Sequence, residues 1–200
     1  MKVIGLTGGI GAGKSTASSI LSENGCRVLD ADAISREITS DGSPALTDIA
    51  EAFGQEYVSG QSLNRKALAD LVFNDEDSLG RLREIITGRV VKKIVDEINE
   101  ARGKDNGEVL VVDAPLLFEC GLEKLTDENW LVTSDLETRL ARVSARDGLS
   151  EDEIMGRINN QMSEEEKICL SQRVLDNSGT VEGLRSQIIR ELERIRDEDR

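Results

Sequence analysis

An apolar run, a block of small residues and a helix-like run follow one another at the start of the chain. This succession constrains the fold more than any other feature. Residues 2–7, KVIGLT, read as a buried strand, and residues 15–24, STASSILSEN, read as a helix closed by Gly25. Between them, Gly8, Gly13, Lys14 and Ser15 fit the spacing G-x-x-x-x-G-K-[ST]. Glycines let successive backbone N–H groups converge on an anion without Cβ clashes. The helix N-terminus behind them adds a partial positive charge. An ordinary strand-to-helix turn has no need of Lys and then Ser just inside the helix. The stretch therefore reads as a phosphate cradle built from Gly11, Ala12, Gly13, Lys14, Ser15 and Thr16. Lys14 would bridge the β- and γ-phosphates of a nucleoside triphosphate, and the Ser15 hydroxyl would ligate Mg²⁺.

A strand feeding a helix through such a loop belongs in an α/β architecture, and the rest of the chain agrees. RVLD (27–30), EVLVVDAPLL (108–117), WLVTS (130–134) and RVLDN (173–177) supply four further strand candidates. The apolar run near residue 110 is continuous rather than alternating, as expected of strands covered on both faces of a parallel sheet. Helical segments lie between the strands. The long interval 31–107 holds SPALTDIAEAFG, GQSLNRKALADLVF and DSLGRLREIITGRVVKKIVDEINEARG, all with helical spacing of Leu, Ile and Val. It reads as a helical insertion on one side of the sheet. Residues 150–170 carry two capping boxes, Ser150 with Glu153 and Ser163 with Glu166. The C-terminal TVEGLRSQIIRELERIRDEDR reads as one amphipathic helix with a frayed acidic end.

Composition narrows the chemistry. A net charge of −14 disfavours nucleic-acid or anionic-membrane partners, whose phosphates the whole-chain field repels. A small anion would need a local cluster of cations and N–H groups. The chain has no histidine, which removes His general bases, Ser-His-Asp triads and His metal ligands. Cys26, Cys120 and Cys169 are far apart, so a zinc site or disulfide framework is not expected, and isolated thiols suit a reducing cytosol. Aromatics are few (Trp130, Tyr57, Phe53, Phe73, Phe118), so the core must be mainly Leu, Ile, Val and Ala. Met1 leads straight into a strand, and no run is long enough to span a bilayer. A soluble, cytoplasmic protein is expected.

Two sets of charged residues stand where such a cradle would use them. Asp30 and Asp32 follow the second strand at the carboxyl end of the sheet, where ligands bind in open α/β folds. One of them is expected to cap the following helix and the other to take a proton from an attacking hydroxyl, with Asp32 preferred as base. Asp113 ends the most apolar strand, the position of an acid that orders Mg²⁺ directly or through water. Arg139, Arg142 and Arg146 share one helix face. Arg142 and Arg146 are expected at the nucleotide, whereas Arg139 is expected on a solvated face. Arg146 runs into a Gly-containing loop, so a hinged lid would carry it onto the triphosphate.

In order and spacing, IGLTGGIGAGKST, VLDADAISRE, LNRKALADLVF, VVDAPLLFE, RLARVSARDGLS, NNQMSEEEK and VLDNSG resemble the dephospho-coenzyme A kinase family. The resemblance covers about residues 2–180. It implies a P-loop kinase fold: a five-stranded parallel sheet flanked by helices, with a helical substrate-binding insertion and a helical lid. It implies ATP-dependent phosphorylation of the ribose 3′-hydroxyl of dephospho-coenzyme A, with Mg²⁺, by a monomer or weak homo-oligomer. Carried over by position, Lys14, Asp32 and Arg146 become catalytic, and Arg142 and Asn177 join the ATP side, Asn177 near the adenine. Asp32, Arg36, Arg65, Pro115 and Leu116 fall on the acceptor side. The implied division is a core (about 1–32, 108–140 and 173–200), an acceptor-binding insertion (about 33–107) and a lid (about 141–172). The chain departs from the family pattern at Thr87-Gly88, where a His-Pro pair is usual, at Arg139, where Gln is common, and at Ser171-Gln172, where Ala-Asp is usual. The nearest rival is another small-molecule P-loop kinase with a nucleoside or nucleotide acceptor. A GTP-dependent switch is less favoured because no N-K-x-D tetrapeptide occurs. A nucleotide-binding protein without catalysis finds its only support in Thr87-Gly88.

Overall fold

The computed structural model describes residues 1–73, 75–104 and 107–198. Its contacts divide the chain into two compact units, Met1–Leu29 with Ile98–Arg200, and Asp30–Glu97.

The first unit is built on a five-stranded parallel sheet. Its strands are β1 (Lys2–Gly8), β2 (Arg27–Asp30), β5 (Val109–Asp113), β6 (Glu128–Thr133) and β7 (Arg173–Asp176), in the order β2-β5-β1-β6-β7. The central strand β1 pairs in parallel with β5 through Leu6 and Asp113 and with β6 through Gly8 and Val132. Its partners lie more than a hundred residues away, so each pairing needs a crossover, and helices cover the sheet. Helix α1 (Lys14–Glu23) and the C-terminal α9 (Val181–Glu198) bury Ala17, Ile20, Leu21, Leu184, Ile188, Leu192 and Ile195 against Trp130, Val132 and Leu175. Spacings of four, four and three along α9 keep its apolar stripe on one side. Each fully buried Leu or Ile contributes about 1.5–3 kcal/mol. Helix α9 runs through Glu198, so the expected fraying at 199–200 lies outside the described residues.

Strand β6 starts two residues before the expected WLVTS. Glu128 and Asn129 are polar yet buried, and they pair with Ile4 and Gly5 of β1. Glu128 is matched: Trp130 Nε1 donates to it at 3.1 Å, Arg194 Nη2 at 2.6 Å, and Lys2 lies 3.6 Å away. Burial alone would raise its carboxyl pKa, but Arg194, Trp130 and Lys2 outweigh this and hold it below the ordinary value.

The second unit is mainly helical. It comprises α2 (Ala31–Ile38), α3 (Ala45–Phe53), a small antiparallel hairpin of β3 (Val58–Ser59) and β4 (Ser62–Leu63), α4 (Arg65–Phe73), and most of α5 (Glu76–Lys104). GQSL was expected to begin a helix, but it forms the turn and return strand of the hairpin. Gly60 supplies the positive φ of 63° that a two-residue turn needs. The helical pattern starts only at Asn64, whose side chain accepts from Ala67 N at 3.2 Å and so opens α4. Ile34, Ile38, Leu46, Ile49, Leu68, Val90 and Ile94 are buried. Asp48 binds Arg89 with two side-chain hydrogen bonds, and Lys93 pairs with Glu37 at 2.5 Å.

Among the described residues, no helix is long and apolar enough to cross a membrane.

Candidate active site

The loop after β1 is shaped from outside itself. It closes with Ala12 N donating to Gly9 O at 3.1 Å. Gly11 and Gly13 have φ of 78° and 93°, a region that L-residues seldom adopt. At Gly13 space also forbids a side chain, because a Cβ there would stand 2.0 Å from Asn177 Nδ2. Gly13 O accepts from Thr16 N and Ala17 N and so starts α1. No side chain caps this helix N-terminus, which leaves its first amides to a ligand.

Lys14 turns back to the end of β5 and pairs with Asp113. Both side chains are largely buried, and the β1–β5 register sets Asp113 beside the root of the loop. A carboxylate stationed on Lys14 holds that charge in place at the root of the loop. The Ser15 side chain, in the first turn of α1, is exposed. An exposed hydroxyl and a fixed carboxylate are oxygen donors of the kind Mg²⁺ takes, so the residues present fit that ion.

Three arginines on one face were expected, and the structure sorts them by depth. Arg139 on α6 (Leu136–Asp147) contradicts the solvated reading, being only 6% exposed. Its Nε donates to Ile10 O at 3.0 Å and its Nη1 to Glu164 Oε2 at 2.6 Å. Glu164 opens α8 (Glu164–Leu170), and its other oxygen accepts from Thr133 Oγ1. Arg142 donates to Asn177 O at 2.9 Å, and its Nη1 comes within 3.8 Å of where a Gly13 Cβ would be. Arg146 sits at the end of the helix, before Gly148, with its guanidinium held by the neighbouring Asp147 at 2.7 and 2.8 Å. Seven residues carry a helix about 10 Å along its axis, so a shared face does not bring all three to one loop.

Asn177 follows β7 and is almost fully buried. Its Nδ2 donates to Ala12 O at 2.8 Å, so the residue expected near adenine is engaged with the cradle itself. Thr7 Oγ1 donates to Pro115 O at 3.2 Å, and Leu116 beside it is exposed. Both capping boxes, at Ser150 and Ser163, are present as expected and open α7 (Glu151–Asn159) and α8.

Within the second unit, the division of labour between the two aspartates is visible. Asp30 caps α2, with Oδ1 accepting from Asp32 N at 2.8 Å and Ala33 N at 3.0 Å. The exposed Asp32 carboxylate has no partner among the described residues. Arg36 lies 3.9 Å from Asp30 Oδ2, and Arg65 donates to Thr39 O at 2.7 Å. A cavity of about 440 Å³ in this unit is lined by Glu37, the 40–45 loop, Arg89, Lys92 and Lys93. Thr87 and Gly88 lie within α5, and nothing stands within 4 Å of a Cβ placed at Gly88.

Two residues near the cradle escaped the sequence reading. Gln161, between α7 and α8, accepts from Ile10 N at 3.2 Å, and Glu164 balances Arg139. Both lie in NNQMSEEEK, but nothing local distinguishes them from surface polar residues.

A glycine loop between a central parallel strand and an uncapped helix, with a lysine and an acid converging at the sheet's carboxyl end, defines the P-loop kinase fold. The dephospho-CoA kinase family matches residues 2–183. A dephospho-CoA kinase of Deinococcus radiodurans is 45% identical over 194 residues, covering 95% of this chain and 92% of that protein. Another, of Carboxydothermus hydrogenoformans, is 41% identical over 191 residues, covering 94% and 92%. Among solved structures, TT1252 from Thermus thermophilus has a TM-score of 0.74 at 35% identity, over 96% of this chain and 97% of that one. The chain belongs to the dephospho-CoA kinase family.

Proposed function

We propose that this chain transfers the γ-phosphoryl group of ATP to the ribose 3′-hydroxyl of dephospho-coenzyme A, giving coenzyme A and ADP. The observation that carries this reading is the family match across residues 2–183, which takes in both the cradle and the Asp30–Glu97 unit.

The chain's own residues supply positioning and charge. The amides of Gly11, Gly13, Lys14 and Ser15, in the loop and at the α1 N-terminus, hold the phosphates, while the Ala12 and Thr16 N–H groups close the loop and the first helical turn. Lys14 exchanges Asp113 for the β- and γ-phosphate oxygens, and Arg142 adds charge beside Gly13. Arg146 leaves Asp147 and joins the transferring group when the lid region closes. Asp32 accepts the proton of the 3′-hydroxyl as the P–O bond forms, a task for which its unshared carboxylate suits it. Arg36, Arg65, Pro115 and Leu116 are assigned to the acceptor. Ser15, and Asp113 directly or through water, would hold Mg²⁺, which would supply neutralisation of phosphate charge. We place the reaction in the cytoplasm, in a monomer or weak homo-oligomer that binds no nucleic acid.

The test is direct. Incubation of the protein with dephospho-coenzyme A, ATP and Mg²⁺ should add one phosphoryl group at the 3′ position, as read by mass spectrometry. Phosphorylation of a nucleoside monophosphate instead would transfer the site to another acceptor class.

A further inference from the structure

The Arg139 guanidinium is buried, lies against the phosphate loop and has no part in the roles assigned so far. Taking a guanidinium out of water costs several kcal/mol unless it is paired and hydrogen-bonded. Here both conditions hold. Glu164 supplies the counter-charge at 2.6 Å, and Ile10 O accepts from Nε at 3.0 Å. The contact with the loop is close along its length. A Cβ at Gly9 would stand 2.6 Å from Arg139 Nη2, and one at Gly11 would stand 2.8 Å from Arg139 O.

The geometry of the peptide unit gives this contact a consequence. In a trans peptide, the carbonyl of one residue and the N–H of the next point in opposite directions. The described chain contains no cis peptide. Holding Ile10 O toward Arg139 therefore turns the Gly11 N–H away from Arg139. The same logic applies two residues on, where Asn177 Nδ2 holds Ala12 O and turns the Gly13 N–H away from Asn177. Gln161 takes the Ile10 N–H, leaving that amide no part in anion binding. Alternate peptides of the loop are thus pinned by their carbonyls.

We infer that Arg139 is a positioning residue: by fixing the Ile10–Gly11 peptide it aims the Gly11 amide into the phosphate cradle, and Glu164 is the counter-charge that keeps it there. The loop's glycines permit many conformations, and Arg139 selects the one in which the amides converge. The inference rests on the reading of 8–16 as a phosphate cradle.

The test compares nucleotides that differ by one phosphate. The ratio of AMP to ADP dissociation constants, measured by calorimetry on the intact protein, reports binding at the second phosphate. A change in overall fold stability does not by itself move this ratio. Two double variants avoid leaving a buried charge alone. R139M/E164Q fills the space without a donor, whereas R139Q/E164Q restores a neutral amide donor. R139M/E164Q should lower the ADP preference about tenfold, the weight of one well-placed hydrogen-bonding contact. R139Q/E164Q should recover most of it. A wild-type preference in R139M/E164Q would overturn the inference and leave Arg139 a structural ion pair. Absence of any ADP preference in the wild-type protein would instead overturn the cradle reading, and the inference with it.

Discussion

The nucleotide loop and the Asp30–Glu97 unit are held together in opposite ways. Around the loop, buried and half-buried side chains from distant parts of the chain fix single peptide groups: Arg139 on Ile10 O, Gln161 on Ile10 N and Asn177 on Ala12 O. In the other unit, the ion pairs are partly exposed, as with Asp48–Arg89 and Glu37–Lys93. Its longest helix carries Gly80 and Gly88 with open space around them. Phe73, at the end of α4, is 89% exposed. The contrast follows from what each part has to hold. Phosphate oxygens are read by amides whose direction must be right to within a few tens of degrees, so their carriers are over-determined. A unit whose helices are joined by apolar contacts and surface pairs tolerates adjustment, and low local stability is where motion concentrates.

The comparison can be broken most sharply at the reacting groups. K14A should lower kcat/KM by about a thousandfold, since it deletes the cradle's charge, and unaffected nucleotide use would defeat the donor assignment. D32N should lower kcat by about a hundredfold or more while the ADP affinity stays near wild type. Near-normal turnover in D32N would remove Asp32 as base. In the first unit, W130A should cost about 3–5 kcal/mol by denaturant unfolding, because the indole is fully buried and its Nε1–H is bonded to Glu128.

Smaller effects probe the looser unit. G88A should stabilise the protein by about 0.5–1 kcal/mol, because alanine fits the open helical position and restricts the unfolded chain. A lower melting temperature for G88A would show that α5 needs its glycine there. The smallest effect concerns acid. The side-chain hydrogen bonds from Arg89 hold the Asp48 carboxyl below its ordinary value of 3.8. A depressed carboxyl stabilises the fold above its unfolded pKa, and this contribution is lost as pH falls through the lower folded value. D48N should therefore flatten the acid limb of stability below about pH 4, and an unchanged limb would show the pair to be inert.

The parts written in local sequence were legible. Both capping boxes, the parallel strands and the cradle could be read because each depends on neighbours within a turn or on a run of apolar residues. Contacts across the chain were not. Arg139 has the same helical spacing as Arg142 and Arg146, and only β1's loop and Glu164 distinguish it. Glu128 and Asn129 hid the start of β6, because their burial depends on the far end of α9 and on β1. GQSL kept a helical spacing of apolar residues across a turn set by Gly60. The choice between Asp30 and Asp32 stayed open because both spacings permit a cap, and only geometry assigned it to Asp30.

The residues that pin the nucleotide loop stand 129, 151 and 165 positions further along the chain. The loop's shape is thus not portable. Its nine residues, cut out or grafted between another strand and helix, would keep the motif and lose the conformation. The same dependence orders its assembly during synthesis. GGIGAGKST is made before the residues that pin it, so its shape is complete only after Asn177 has been made and docked.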